Sequence, residues 1–380
     1  MSIELESFRT KVRAFAESEI APHAAKIDRD DEFPADMWKK IGDAKLMGIT
    51  IPKAYGGEEL SYFHHVIAVE ELSRASGSAG FAYAANSNIC IDNLYKHANE
   101  EQRKKYLPKL ISGEHVGALA MSEPDAGSDV IGSMSCFAEK KGNNWVANGT
   151  KRWITNGPYA NTLIVYMRTA AKETGSKSIT AFIIEKGMPG FTQGTKKDKL
   201  GMRGAGNCEL YFENCEIPDS QVLGEVNQGV KLLMNGLDSE RLILCGGPLG
   251  IMQAALDVVI PYCQEREQFG QAIGNFQMVQ AKIAEMYTRM EASRAMVYRL
   301  GANFKDHPNR NRDAAAACLF SSESSTSVSL DAIQLLGGRG YMNEEIPGRL
   351  LRDSKIYEIG GGTNEIRKMI IARDLLSRKK

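Results

Sequence analysis

A glutamate on an otherwise apolar helix face is the residue best placed to do chemistry. Glu240 shares that face with Leu233, Leu237 and Leu244, because spacings of four, three and four residues bring the side chains to one side of a helix. Burial of an ionised carboxylate is costly, and desolvation raises its pKa toward a value that suits a general base. The alternative is that Glu240 pairs with Arg241 or with a neighbouring helix and is only structural. The helical pattern by itself leaves both readings open.

Two polar segments have the residue types to hold a cofactor or an anion. Residues 121–129 (MSEPDAGSD) carry two serine hydroxyls and several backbone donors. In residues 151–157 (KRWITNG), Trp153 could stack on an aromatic ring and Thr155 could donate a hydrogen bond to it. The alternatives are a capped loop for the first segment and a core tryptophan in a strand for the second.

Three glycine-rich turns also need an explanation, at residues 246–250, 337–340 and 359–364. None of them follows a strand and opens a helix, as a dinucleotide-binding turn does, and the Gly-x4-Gly-Lys-Ser/Thr phosphate loop does not occur. The sequence therefore disfavours a Rossmann enzyme and a nucleotide hydrolase. Close helix packing or a helix C-cap is the ordinary role of such glycines. Residues 360–363 also have the composition of a backbone that approaches a ligand closely.

Composition excludes several other classes of protein. The 380 residues include 47 Lys and Arg against 47 Asp and Glu, so the formal net charge is zero and binding of nucleic acid or of an anionic membrane is not expected. Apolar runs are interrupted well short of about 18 residues, so no membrane span is predicted. Seven scattered cysteines and six histidines show no metal-ligand spacing, which predicts reduced thiols inside a cell and no metal site. The N-terminus lacks the apolar core of a signal peptide, so no targeting segment is expected.

The periodicity of the apolar residues divides the chain into three parts. Residues 1–113 have helical spacing, residues 114–218 contain short β-branched and aromatic runs separated by turns, and residues 219–380 return to helical spacing. The middle part predicts a small antiparallel sheet domain. The last part predicts long helices near 229–265, 275–303 and 312–337. The predicted organisation is therefore an α–β–α succession of three domains with those boundaries.

Taken together and in this order, the motifs resemble the acyl-CoA dehydrogenase family of flavoenzymes. The resemblance extends from about residue 5 to residue 376. Its most specific segments are residues 119–128 (LAMSEPDAGS), 153–157 (WITNG), 198–203 (DKLGMR), 266–270 (REQFG), 334–338 (QLLGG) and 352–357 (RDSKIY). The resemblance implies an α+β multidomain fold with an N-terminal α-helical domain, a middle β-barrel-like domain and a C-terminal four-helix bundle. It also implies FAD as cofactor and α,β-dehydrogenation of an acyl thioester.

The family places its catalytic base at one of two positions. Most members use a glutamate in a C-terminal Tyr-Glu-Gly-Thr segment, where this chain has Gly361, which cannot accept a proton. A smaller group carries the base on a helix of the bundle, at the position of Glu240. The resemblance thus makes Glu240 the predicted catalytic residue. Glycine at 361 would also free volume near the acyl β-carbon, where a branched chain could fit.

Further site residues follow from the resemblance, position by position. Predicted FAD contacts within one subunit are Leu119, Met121, Ser122, Gly127, Ser128, Trp153, Ile154, Thr155, Thr363, Asn364 and Glu365. Predicted contacts with the FAD of a neighbouring subunit are Arg266, Gln277, Gln334, Gly337 and Gly338, which implies a homo-oligomer, a tetramer by the family pattern. Predicted substrate contacts are Ser128, Ser176, Lys177, Lys231, Asp238, Arg241, Gly361 and Gly362.

The group with its base at the Glu240 position includes enzymes of short branched-chain acyl-CoA metabolism. The favoured substrate is isovaleryl-CoA, oxidised to 3-methylcrotonyl-CoA in leucine catabolism, with electron transfer flavoprotein as the electron acceptor. The alternatives are a longer, terpenoid or carrier-protein-bound acyl thioester, or a non-catalytic helical binding protein on the same fold. A soluble intracellular protein is expected, in the mitochondrial matrix if the source is eukaryotic and in the cytoplasm if it is bacterial.

Overall fold

The N-terminal part is a group of helices packed around one deeply buried helix. The computed structural model describes residues 2–377. Helix α4 (Tyr62–Ala75) is buried along most of its length, since it packs against the helix that follows it (Gly77–Ala84) and against helices of the C-terminal part. The helices are α1 (Ile3–Phe15), α2 (Ala24–Asp30), α3 (Met37–Asp43), α4 (Tyr62–Ala75), α5 (Gly77–Ala84), α6 (Asn93–His97) and α7 (Glu100–Ile111), with π-helical turns at Ala16–Ile20 and Ala85–Asp92.

The middle part is a single sheet of eight strands in the order β6-β7-β3-β2-β4-β5-β8, with β1 beside β4. Most pairs are antiparallel as predicted, but β1 runs parallel to β4 and β2 meets β4 in parallel, because the chain crosses over between these strands. The strands are β1 (Gly117–Ala120), β2 (Phe137–Lys141), β3 (Asn144–Thr155), β4 (Thr162–Arg168), β5 (Ile179–Glu185), β6 (Phe191–Gln193), β7 (Asn207–Pro218) and β8 (Val222–Leu223), with the short helix α8 (Val130–Ser133) before β2.

The C-terminal part is a bundle of long antiparallel helices with a small hairpin at one end. The predicted helical stretch over 229–265 consists of α9 (Gly229–Leu244) followed directly by α10 (Gly246–Glu265), and Cys245 between them keeps helical backbone angles. The elements are α9 (Gly229–Leu244), α10 (Gly246–Glu265), the hairpin β9 (Glu267–Gln268) and β10 (Gln271–Ala272), α11 (Gln277–Ala302), α12 (Arg310–Leu336), α13 (Ile346–Ser354) and α14 (Asn364–Leu376). The predicted succession of helical, sheet and helical parts is confirmed.

Two glycines of the 246–250 segment, which forms the start of α10, allow the bundle to pack closely against the N-terminal helices. A Cβ atom at Gly246 would lie 2.6 Å from the Val66 carbonyl oxygen, and one at Gly250 would lie 2.2 Å from the Glu70 carbonyl oxygen. Any side chain there would force α10 away from α4. This glycine cluster therefore has the ordinary role that the sequence allowed, close helix packing.

One helical stretch within residues 2–377, Gly229–Glu265, is long and apolar enough to satisfy a length-and-composition test for a membrane span. Its most apolar window is 78% buried inside the protein, which is typical of a core helix. The seven cysteines are buried and none forms a disulfide in this part of the chain. The closest thiols, Cys245 and Cys318, have sulfur atoms 3.1 Å apart between α9 and α12.

Candidate active site

A cavity of about 1160 Å³ lies where the three parts of the chain meet. Its wall combines apolar helix faces with polar loops from the sheet, so it offers an environment for a ligand with both aromatic and charged parts. The wall contains these predicted site residues: Leu119, Met121, Ser122, Gly127, Ser128, Trp153, Ile154, Thr155, Asp238, Glu240, Arg241, Gly361, Gly362 and Thr363. Segments more than 200 residues apart in sequence thus form one site.

Glu240 lies on the face of α9 that lines this cavity. Leu233, Leu237 and Leu244 line it too, so the predicted stripe of one carboxylate and three leucines is the helix face that meets the cavity. Burial raises the pKa of Glu240 to about 7, although the positive charges of Arg241 and Arg367 lower it in part. No Lys, Arg or His nitrogen of residues 2–377 lies within 4.0 Å of its carboxylate. The group therefore exchanges a proton near neutral pH, as a general base must.

The glycine turn before α14 closes the cavity opposite Glu240. Gly361 and Gly362 have φ angles of +67° and +91°, which L side chains rarely adopt. A Cβ atom at residue 361 would lie 3.5 Å from the Glu240 Oε1 atom and 3.1 Å from the Leu244 Cδ1 atom. A longer side chain at 361 would enter the space beside the Glu240 carboxylate. Positions 240 and 361 thus converge on the same small volume.

A buried ion pair ties together the two polar loops of the sheet domain. The Lys151 ammonium donates to the Glu123 carboxylate at 2.8 Å and to the Met121 carbonyl at 3.1 Å, and both side chains are 1% exposed or less. Glu123 also accepts hydrogen bonds from the backbone N–H groups of Ser135 and Cys136. Burial would raise the pKa of Glu123, but Lys151 and these donors hold it below its usual range. The pair fixes the loop at 121–123 against strand β3.

Trp153 is half exposed at the cavity wall and is not a core residue. It has a φ angle of +60° in an irregular stretch of β3, where the register with β7 shifts between Lys151 and Ile154. Such bulges redirect a side chain away from the regular pleat. The Arg152 guanidinium lies 5.3 Å from the centre of the Trp153 ring. The strand irregularity therefore presents an aromatic face to the cavity.

Asp238 and Arg241, which flank Glu240 on α9, belong to a polar network. Arg241 is buried and donates to Asn311 at 2.8 Å, and Asp238 lies 3.3 Å from Arg310. Asn311 also lines the cavity, although nothing in the sequence marked it. This network links the helix of Glu240 to the start of α12.

Several predicted contacts lie outside the wall of this cavity. Ser176 and Lys177 are exposed in the turn before β5, Lys231 is exposed at the start of α9, and Glu365 is exposed in the first turn of α14. Asn364 is buried beneath that turn, where it accepts from Ser322 and Arg367. Their contacts with substrate or cofactor remain predictions.

The residues predicted to reach a neighbouring subunit share one property, which is exposure at the surface of the bundle. They are Arg266, Gln277, Gln334, Gly337 and Gly338. Large apolar side chains close to them in sequence are also exposed: Phe269 is 92% exposed, Met278 84% and Tyr341 86%. Exposed apolar groups of this size are typical of surfaces that bind another protein.

Part of the cavity wall could not be recognised from the sequence. Phe81, Ala85 and Ile89 line the cavity from α5 and the π-helical turn after it, and Arg352 and Lys355 line it from α13 and the turn beyond. The only available signal was the resemblance, which included residues 352–357 without a role. Apolar residues in a buried helix look alike in sequence whether they face a core or a cavity.

The wall is suited to FAD. Gly127 has open space where a Cβ atom would be, and Ser122, Ser128 and Thr155 bring hydroxyl donors to the half-exposed Trp153 ring. Hydroxyls, backbone N–H groups and an aromatic face are the groups that hold the polar edge and the plane of a flavin ring.

Comparison with known proteins agrees with this site. Family models describing the N-terminal, middle and C-terminal domains of acyl-CoA dehydrogenase match residues 2–114, 118–215 and 227–376. The chain is 56% identical over 372 residues to a mitochondrial isovaleryl-CoA dehydrogenase of Oryza sativa subsp. japonica, covering 97% of this chain and 90% of the relative. It is 54% identical to a mitochondrial 2-methylacyl-CoA dehydrogenase of Solanum tuberosum, with the same coverage.

The solved structure of butyryl-CoA dehydrogenase from Megasphaera elsdenii superposes with a TM-score of 0.95 at 32% identity and covers 99% of each chain. Fold and site together define a flavin-dependent oxidoreductase of three domains. The chain belongs to the acyl-CoA dehydrogenase family, so the predictions of the family, of its fold and of FAD as cofactor are confirmed.

Proposed function

We propose that this enzyme oxidises isovaleryl-CoA to 3-methylcrotonyl-CoA in leucine catabolism, with Glu240 as the catalytic base. The observation that carries the proposal is the pairing of Glu240 with Gly361. A carboxylate with a pKa of about 7 lines the cavity, and the residue opposite it has no side chain. The relatives at more than 50% identity named for isovaleryl-CoA support the same substrate.

Glu240 takes the α-proton of the acyl thioester onto its carboxylate. An α-proton of a thioester is far too weakly acidic for a carboxylate unless the developing enolate oxygen is stabilised. The backbone N–H of Gly361, in the turn that lies against Glu240, is the proposed donor to that oxygen. When bound, FAD supplies the electron sink that accepts the β-hydrogen as hydride. The leucines of the α9 face keep water away from the Glu240 carboxylate, so the ionised base is poorly solvated and its protonated form is favoured once the α-proton has been transferred.

The polar loops have a binding role in this proposal. The subunit's own FAD contacts Leu119, Met121, Ser122, Gly127, Ser128, Trp153, Ile154, Thr155, Thr363, Asn364 and Glu365, and the acyl-CoA contacts Ser128, Ser176, Lys177, Lys231, Asp238, Arg241, Gly361 and Gly362. Arg266, Gln277, Gln334, Gly337 and Gly338 contact the FAD of a neighbour in a homotetramer, and their exposure beside large apolar side chains supports this arrangement. Electron transfer flavoprotein then reoxidises the enzyme. The compartment follows the source, mitochondrial matrix or bacterial cytoplasm.

A second candidate substrate is a 2-methylacyl-CoA. The relative named for that substrate is 54% identical, almost as similar as the relative named for isovaleryl-CoA. The two substrates differ in whether the methyl branch lies on the β-carbon or on the α-carbon, beside the proton that Glu240 removes.

The experiment is a substrate panel on purified enzyme reconstituted with FAD, read by reduction of an electron-accepting dye. Isovaleryl-CoA, 2-methylbutyryl-CoA, butyryl-CoA, octanoyl-CoA and a carrier-protein-bound isovaleryl group are compared by kcat/KM. We expect isovaleryl-CoA to give the highest value. A higher value for 2-methylbutyryl-CoA would favour the second candidate, and a higher value for the long or carrier-bound group would overturn both.

A further inference from the structure

Arg367 is a buried cation directly behind the glycine turn of the active site. It lies on the first turn of α14 and is 2% exposed. Its Nη1 atom donates to the carbonyl of Tyr357 at 2.5 Å and to the side-chain oxygen of Asn364 at 2.7 Å, while Nη2 donates to the carbonyl of Gly360 at 2.8 Å. Ser322 accepts a longer bond of 3.5 Å. Every one of these acceptors is neutral.

The lack of a carboxylate partner distinguishes Arg367 from Arg241, the other buried arginine of the bundle within residues 2–377. Within residues 2–377 no Asp or Glu oxygen lies within 4.0 Å of its guanidinium, and its Nε–H has no acceptor. Arg241, by contrast, lies 3.7 Å from Asp238, and the partly buried Arg294 is paired with Glu70 at 3.0 Å. A charge is rarely buried without an opposite charge beside it, because desolvation is then uncompensated. The burial of Arg367 without a nearby carboxylate therefore indicates that its positive charge has a function.

The hydrogen bonds of Arg367 fix the position of the turn. Gly360 and Tyr357 precede the two glycines with positive φ angles, and the guanidinium holds both of their carbonyls from one side. The N–H of Gly360 donates to the Ile356 carbonyl at 2.7 Å on the other side, and Thr363 caps α14 beyond the glycines. A planar guanidinium group that donates several hydrogen bonds at once restrains a turn more tightly than a lysine ammonium could.

The charge of Arg367 also acts on Glu240. Burial raises the pKa of Glu240, and Arg241 and Arg367 lower it again. The other titratable groups that interact with Glu240 are Tyr166 from β4 and Cys318 from α12, and both are neutral in their protonated forms. Arg241 has Asp238 as a partner at 3.7 Å, so its charge is partly offset. Arg367 is therefore the one cation near Glu240 in the described chain with no carboxylate within 4.0 Å.

We propose that Arg367 is a positioning residue of this active site, whose guanidinium holds the glycine turn and whose unpaired charge stabilises negative charge beside that turn. The charge acts first on the Glu240 carboxylate and then on the thioester oxygen as the proton leaves. The inference rests on the proposed function, since it assigns Arg367 to the reaction in which Glu240 is the base.

The first test compares Arg367→Met with Arg367→Lys in the FAD-loaded enzyme, by the pH dependence of kcat/KM. Arg367→Met removes the positive charge, so the pKa of Glu240 rises. The acid limb of the kcat/KM pH profile, where Glu240 becomes protonated, then moves to higher pH by about one unit. Arg367→Lys keeps the positive charge but loses the several N–H donors of the guanidinium that hold the turn. The acid limb should therefore stay in place while kcat/KM falls at all pH values. Arg294→Met is the control, because it removes a partly buried guanidinium remote from the turn and should leave the acid limb of the pH profile unmoved.

Asn364→Asp covers the case in which Arg367→Met does not fold. It places a carboxylate 2.7 Å from the Nη1 atom and offsets the charge of Arg367 by pairing it, so no buried charge is left without an opposite charge. Its acid limb should also move to higher pH. Flavin absorbance is measured for each variant, because Asn364 is itself a predicted FAD contact.

A binding measurement gives a readout apart from turnover. Acetoacetyl-CoA has acidic α-protons and binds more tightly where negative charge on its oxygen is stabilised. Its dissociation constant, measured by calorimetry at pH 7, should rise about tenfold in Arg367→Met and little in Arg294→Met. An active wild-type enzyme whose Arg367→Met and Asn364→Asp variants keep the acid limb and this affinity would overturn the inference. A wild-type enzyme inactive on every acyl thioester would overturn the proposed function instead.

Discussion

Glu123 and Glu240 are two carboxylates enclosed by the same protein, one in the sheet domain and one in the bundle. Glu123 has Lys151 at 2.8 Å and three further donors, and its pKa is held below the usual range. Glu240 has leucines on its own helix face and more distant arginines, and its pKa rises to about 7. The comparison shows that burial by itself does not decide what a glutamate does. The groups within hydrogen-bond distance make the first a structural anchor and leave the second free to take a proton.

Replacement of Glu240 tests the catalytic side of this comparison and has the largest expected effect. Glu240→Gln keeps the size and polarity of the side chain but cannot accept a proton, so turnover should fall by about a thousandfold. Flavin absorbance should stay at the wild-type level because the loops that contact FAD are untouched. The measurement is dye reduction with isovaleryl-CoA, beside a flavin spectrum. Near-normal turnover would show that another group removes the proton.

Replacement of Lys151 tests the structural side. Lys151→Met leaves the buried Glu123 carboxylate without its cation, and the loss of one partner of a buried pair costs about 3–5 kcal/mol of unfolding free energy. The loop at 121–123 should loosen and FAD should dissociate more readily. Denaturant unfolding and flavin release measure the two effects. Lys39→Met is the control, since its pair with Asp43 is solvent-exposed and contributes less than about 1 kcal/mol. Equal effects of the two variants would contradict the role of the buried pair.

The pH dependence of stability sharpens the comparison further. The pKa of Glu240 is about 7 in the folded protein and about 4.5 unperturbed, so its contribution to stability is complete below pH about 4.5 and is lost as pH rises through 7. Glu240→Gln should therefore be more stable than the wild type at pH 8 to 9, by about 1–2 kcal/mol after allowance for partial exposure. At pH 4 the two proteins should unfold alike. Thermal unfolding at both pH values measures this, and a gain at pH 4 only would contradict it.

The smallest expected effect concerns the space beside Glu240. Gly361→Ala adds a methyl group 3.1 Å from the Leu244 Cδ1 atom and 3.5 Å from the Glu240 carboxylate, at a φ angle that alanine adopts at a cost of about 1 kcal/mol. Gly142→Ala is a matched control, because its φ angle is +60° and its Cβ atom would meet nothing within 4 Å. Both variants should lose similar stability, but only Gly361→Ala should lower kcat/KM for isovaleryl-CoA. An equal loss of activity in both would remove the argument that residue 361 borders the acyl group.

Much of the fold could be predicted from the sequence. The change from helical to strand periodicity and back located the three parts of the chain, and the motifs identified the family. The boundary between α9 and α10 was not visible, because residues 229–265 keep an apolar helical pattern and Cys245 itself keeps helical backbone angles. The parallel pairing of β1 with β4 was not visible either, since the direction of a strand relative to its neighbour depends on how the chain crosses over.

Some features of the candidate active site could likewise be predicted from the sequence, and others could not. The spacing of leucines around Glu240 was enough to place a carboxylate on an apolar face, and the resemblance assigned it a role. The sequence did not indicate that Phe81, Ala85 and Ile89 complete the same wall. Nor did it indicate the buried ion pair of Glu123 with Lys151, because the two residues are 28 positions apart and come together only in the folded sheet domain.

The sequence by itself determined the α–β–α succession, the family, and the presence of glycine at position 361. These features depend on residue type and on local spacing, which a linear chain contains in full. Only the tertiary structure decided that Arg367 lies behind the glycine turn with no carboxylate of residues 2–377 within 4.0 Å, and that Glu240 has a pKa of about 7. Those properties depend on distances between residues far apart in the chain and on how much water the packed helices exclude.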